Sequence, residues 1–199
     1  MEQSEKVFRF YINKNEHKPY FEGHLQKEQC RYIRPNGEHC KRMTCIPIPL
    51  CTQHLALELH LKIKKSLIPH SGKGVFAYDP SKGDNEIIFR PTGPTRYICE
   101  YDGELINLQT LNQRYGINTA PYAFKINDNL YIDCALRRGV GGLINHTNWT
   151  NANVKFVRVP NSNRVRILAK SIIRNGKELK ISYGNQYVFD EPSTHYSTR

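Results

Sequence analysis

From residue 66 onward almost every apolar run is short and is stopped within a few residues by Gly, Pro, Asn or Asp. The runs GVFAY, EIIFR, RYICEY, YAFKI, LYIDC, VKFVRV, VRILA and LKISY are rich in β-branched and aromatic residues. Runs of this length and spacing cannot build a helical bundle; they predict a mostly β domain. One helix is expected within LINLQTLNQRYG, with Asn107 as N-cap and Gly116 as stop. Upstream, VFRFYI reads as a strand. LALELHLKIKK, residues 55–65, is apolar at helical and alternating spacings at once, so helix and strand both stay open there. The organisation expected is an extension over 1–29, a metal module over 30–60, the β domain over 61–189 and a flexible polar tail over 190–199.

Composition supports a packed core: 39% of residues are hydrophobic, with 12 Tyr and 8 Phe, which argues against a disordered chain. No apolar stretch approaches the roughly 18–20 residues of a membrane span. The start MEQSEKVFRF has no apolar signal region. An intracellular protein with no membrane partner is therefore expected. The net charge of +11 is spread along the chain and suits either a solvated surface or a polyanionic partner such as nucleosomal DNA. Glu100, Asp102 and Glu104 form an acidic patch in sequence that could receive a basic segment.

Cys30, Cys40, Cys45 and Cys51 lie close together, and CTQH places His54 three residues after Cys51. Without a secretion signal such a cluster reads as metal ligands. Cys30, Cys40, Cys51 and His54 make a closed tetrahedral Zn²⁺ site of the structural kind. PNG at 35–37 turns the chain between the first two ligands. Cys45 is the spare; it either replaces a ligand or is a small buried apolar residue. In spacing, the cluster resembles compact Cys3His zinc motifs of viral and phage proteins.

Four segments carry chemistry in a fixed order: HSGKGVFAY (70–78), CEYDGELIN (99–107), GLINHTNWTNANVKF (142–156) and GKELKISYGNQY (176–187). Each alone is weak: Gly72-Lys73-Gly74 is any tight turn, and a lone histidine or tyrosine is usually core. Together, over about residues 62–189, they resemble the SET-domain protein-lysine methyltransferases. That family's pattern is a GxG turn, then YxGE, then an Asn-His pair six residues ahead of a second Asn, then ExLxxxYG. Asn145, His146 and Asn151, and Glu178, Leu179, Tyr183 and Gly184, fall in register.

The resemblance implies small β-sheets with a pseudoknot and a short helical insert. It implies S-adenosylmethionine held by Gly72, Lys73, Gly74, Tyr122, Asn145 and His146, with Lys73 facing its carboxylate end. Tyr183, Tyr101 and Tyr122 take the catalytic positions; Tyr101, Phe124, Ile181 and Tyr187 line a lysine channel. Lysine side chains titrate near ~10.4 in water, and an apolar channel favours the neutral amine that the reaction needs.

Departures stand out. Gly142-Leu143 replaces the family's frequent Arg-Phe, and Asn148 replaces a cysteine. No cysteine follows residue 184, so Tyr187 and Phe189 are the candidates for the channel's far wall. Ile181 replaces a frequent aromatic residue, which points to more than one methyl. The expected substrate is a lysine-containing protein, with a histone first, and the nucleus is the place of work if that substrate is chromatin. Two other classes stay open: a catalytically idle SET-fold binding module and a zinc-containing nucleic-acid-binding protein.

Overall fold

The structure, a computed structural model, describes residues 7–11, 19–24, 27–44, 50–116 and 120–184. Cys45, Tyr187, Phe189 and the tail 190–199 lie outside the described residues. The chain is mostly β, as its short runs require. Strand Val7–Tyr11 pairs antiparallel with Pro19–His24. No helix among the described residues is long and apolar enough to cross a membrane.

The ambiguous stretch 55–65 is both of its readings in succession. A helix runs over Thr52–Leu59 and a strand over Leu61–Lys65. His60 divides them in a left-handed conformation, φ 53°, with its N–H returning to Ala56 O at 3.1 Å. The strand then pairs with Lys73–Ala77, so the Gly72 turn closes a hairpin that starts just after the helix carrying His54.

A five-stranded sheet forms the middle of the fold, in the order Asn145–His146, Lys180–Ile181, Val154–Arg158, Val165–Ala169, Tyr97–Glu100. Val165, Ile167 and Ala169 alternate inward, with Arg166 and Leu168 between them, as a period of two requires. Lys180–Ile181 runs parallel to both of its neighbours. The late segment thus lies between two strands that the 147–153 loop connects, which is the crossing of a pseudoknot. Asn153 laces it: its Nδ2 donates to Glu178 O at 2.8 Å and its Oδ1 accepts from Lys180 N at 2.8 Å.

The single long insert follows its local signals. Asn107 Oδ1 accepts from Thr110 N at 2.8 Å, opening helix Leu108–Tyr115, and Gly116 ends it at φ 65°. The helix is tied to the three-stranded sheet of Ala123–Asn127, Leu130–Asp133 and Glu104–Asn107. Arg114 Nη1 reaches Asp133 Oδ2 at 2.6 Å and Glu104 Oε2 at 2.7 Å, and Tyr115 Oη donates to Asp133 Oδ1 at 2.9 Å. Asp133 is fully buried, so this pairing is what permits a carboxylate there.

Cys30, Cys40, Cys51 and Leu55 share one buried cluster with Val75, Ile88, Cys99, Val140 and Ile181. The Cys3His cluster is therefore packed into the same core as the β-sheets.

Candidate active site and metal centre

The donor atoms of Cys30, Cys40, Cys51 and His54 all lie within 4.8 Å of one another, and all four residues are buried. A tetrahedral Zn²⁺, with Zn–S near ~2.3 Å and Zn–N near ~2.1 Å, spans such a set. The turn at Gly37, φ 81°, folds the Cys30 and Cys40 strands together. Cys51 is the N-cap of helix Thr52–Leu59, which sets His54 one turn above it, Nδ1 to Sγ 3.3 Å. Burial, then the nearby cations Arg42 and Arg34, hold His54 below its usual range and so keep it a neutral donor. Tyr32 stacks on the His54 ring at 3.8 Å and fixes its plane.

The Gly72-Lys73-Gly74 turn meets Asn145 directly: Asn145 Nδ2 donates to Lys73 O at 3.0 Å. Gly72 has φ +65° and open space beside it, whereas a Cβ on Gly74 would stand 2.3 Å from Glu178 Oε1. One glycine bends the turn and the other lets it approach the Glu178 carboxylate. Lys73 is exposed at the turn, available to an anionic end of a ligand. Open backbone at Gly72, a cation beside it and an amide-held turn fit S-adenosylmethionine in their chemistry.

Tyr183 is bound twice to the segment 144–146. Its N–H donates to His146 Nδ1 at 3.0 Å, and its Oη donates to Ile144 O at 2.8 Å. Burial lowers the His146 pKa. An Nδ1 that accepts from a backbone N–H leaves the ring proton on Nε2. Tyr101 Oη donates to Tyr122 O at 2.8 Å. The Tyr101, Phe124 and Phe156 rings form a triangle with centroids 5.0–5.9 Å apart. Burial, then neighbours that include Cys134 and Tyr183, push the Tyr101 phenol well above its ordinary range. It is a neutral hydroxyl in an apolar wall. Arg138 covers the Tyr122 ring at 4.4 Å. Ile181 is 1% exposed and belongs to the main core cluster.

Sequence reasoning passed over three groups. Glu178 was in register with no role, yet it accepts from Ser66 Oγ at 2.6 Å, Leu67 N at 2.9 Å and Asn145 Nδ2 at 3.4 Å. Asn153 carries the lacing described above, whereas Asn151 is exposed and caps a local turn through its N–H to Asn148 Oδ1 at 3.0 Å. Phe156 completes the aromatic triangle; its place inside VKFVRV was the only signal. The acidic patch also differs from expectation. Glu100 is engaged by Arg164 at 2.7 Å and Arg166 at 3.6 Å, and Glu104 by Arg114. Distant arginines neutralise two of its three carboxylates.

Known proteins resemble this chain. An H3 lysine-4 specific histone-lysine N-methyltransferase of Mycosarcoma maydis is 29% identical over 99 residues, 47% of this chain and 7% of that protein. The histone-lysine N-methyltransferase MEDEA of Arabidopsis thaliana is 32% identical over 126 residues, 60% of this chain and 17% of its own length. The chain thus spans less than a fifth of these relatives. Among solved structures, the Chaetomium thermophilum polycomb repressive complex 2 shares the fold at a TM-score of 0.50 and 24% identity, covering 64% of this chain and 15% of that one. Residues 72–184, more than half of the 199, match the SET domain, and the chain belongs to that family.

Proposed function

We propose that this chain is an active protein-lysine N-methyltransferase acting on a histone tail in chromatin, and that Cys30, Cys40, Cys51 and His54 hold a structural Zn²⁺. The relatives named above act on histone lysines, which supports the substrate class. The observation that carries the reading is the pair of phenols. Tyr183 and Tyr101 each spend their proton on a backbone carbonyl, of Ile144 and Tyr122, and both pack against the same buried cluster. A phenol that donates to a carbonyl can still accept the polar hydrogens of an amine through its oxygen.

S-adenosylmethionine, when bound, supplies a methyl on a sulfonium sulfur. Gly72, Lys73, Gly74, Asn145 and His146 would hold it. Tyr101, Phe124 and Phe156 disfavour the charged ammonium and so raise the neutral fraction of the incoming lysine. Tyr183 orients that amine, and alignment of nitrogen and methyl supplies much of the rate. With Ile181 offering no hydroxyl to hold a water, products with more than one methyl are expected.

The test is incubation with labelled cofactor and core histones or nucleosomes, followed by mass spectrometry. Transfer to a histone lysine is expected, and Tyr183→Phe abolishes it while costing only about 1 kcal/mol of stability, the worth of one hydrogen bond. Cofactor binding without transfer to any protein would make this an idle SET-fold module.

A further inference from the structure

The hairpin that carries Cys30 and Cys40 has a second face. Gln29 pairs with Met43, and Ile33 with His39. That register places Arg31 opposite Lys41. Side chains alternate along each strand, so Cys30, Tyr32 and Cys40 face the metal centre. Gln29, Arg31, Ile33, His39, Lys41 and Met43 share the outer face. All six are exposed, Ile33 by 55% and Met43 by 60%.

Cys30 N donates to Arg42 O, and Cys40 N to Tyr32 O. Each of the 30/42 and 32/40 positions makes one cross-strand bond, and Arg31 and Lys41 face each other between those two bonds. Two cations held side by side destabilise a hairpin. The outer face has no carboxylate to relieve them. Glu38 pairs with Arg34, and Glu28 reaches Arg137; among the described residues neither Arg31 nor Lys41 has an ion-pair partner.

We infer that this outer face binds single-stranded nucleic acid, with phosphates on Arg31 and Lys41 and unstacked bases on Ile33 and Met43. A partner must satisfy the cations and cover the apolar side chains together. Residues two apart on a strand lie about 6.6 Å apart, so charge and apolar surface alternate on the scale of phosphate and base. A duplex presents phosphates outward and keeps its bases stacked within, leaving Ile33 and Met43 uncovered. A hairpin that enters a bilayer needs an apolar tip; this tip is Pro35-Asn36-Gly37. The inference goes beyond lysine methylation and stands without it.

The test uses the full, metal-loaded chain and fluorescence anisotropy against a mixed-sequence single-stranded oligonucleotide, its duplex and polyglutamate, over a salt series. The net charge of +11 gives a background, so the variants carry the result. Replacing both cations, Arg31→Gln with Lys41→Gln, lowers the slope of log K against log salt by about 1.4, at about 0.7 per phosphate contact on a single strand. Replacing both apolar residues, Ile33→Ser with Met43→Ser, removes the apolar area that bases would cover, weakens single-strand binding at least about fivefold and leaves that slope unchanged. Metal content and methyl transfer stay at wild-type values in both, and the unfolding temperature of the Arg31→Gln, Lys41→Gln variant does not fall, since relieving two adjacent cations can only hold or raise it. Wild-type binding by both double variants overturns the inference. So does tighter duplex binding that is indifferent to Ile33 and Met43. Binding of polyglutamate in place of the oligonucleotide would make the face a docking site for acidic protein, and the inference fails.

Discussion

Glu178 is where the cofactor turn and the crossing strand are joined, and removing its carboxyl tests the architecture of the site. It is 4% exposed and accepts from Ser66 Oγ, Leu67 N and Asn145 Nδ2, at 2.6, 2.9 and 3.4 Å. The first bond is short. Hydrogen bonds to a charged group are worth about 1.5–3 kcal/mol each; that from Leu67, a residue 71% exposed, lies at the low end because water can replace the carboxylate there. Relief of the carboxylate's desolvation offsets part of this. The net loss expected for Glu178→Ala is about 2–4 kcal/mol, or a fall in Tm of roughly 5–15 °C for a chain of this size. Glu178→Gln keeps an acceptor for Ser66 and loses less. Cofactor affinity, measured by calorimetric titration, should fall in both, because Asn145 and the Gly72 turn lose their shared partner. A cycle of Ser66→Ala and Glu178→Gln should show coupling of at least about 0.5 kcal/mol. Additive effects, or Glu178→Ala with wild-type Tm and cofactor affinity, would refute the role of this carboxylate.

Two further outcomes follow from burial and packing. Stripping the metal with a chelator should lower the unfolding temperature by about 10 °C or more in one calorimetric transition, since the ligands sit in the shared core; two separate transitions would show a module that folds alone. His146, whose pKa burial lowers from the usual 6.5, binds its proton more readily in the unfolded chain, so acidification favours unfolding. Stability should be intact above about pH 6.5 and decline below it, and the decline should shrink in a Tm-against-pH series of His146→Gln.

What could be read from the sequence is what local chemistry decides. Asn107 and Gly116 mark the helix because a cap and a left-handed stop act within one turn. Cys51 and His54 are legible because both belong to the first turn of one helix. The stretch 55–65 was not, because helical and strand periods coexist in it, and the break at His60 depends on the partner strand Lys73–Ala77. The same limit governs the site. Glu178 meets Ser66 across 112 residues, and Glu100 meets Arg164 across 64. Nothing in either neighbourhood tells one carboxylate that is to be buried as a hub from another that is to be neutralised at the surface. That distinction is made by the late segment lying between Asn145–His146 and Val154. Register across this crossing therefore matters more than any single side chain in the four motifs. A one-residue slip of Lys180–Ile181 would turn Ile181 out of the core and move Tyr183 away from His146 and Ile144 together. Asn153, whose side chain holds both Glu178 O and Lys180 N, reinforces this register alongside the backbone bonds Thr147 N to Ile181 O and Leu179 N to Val75 O.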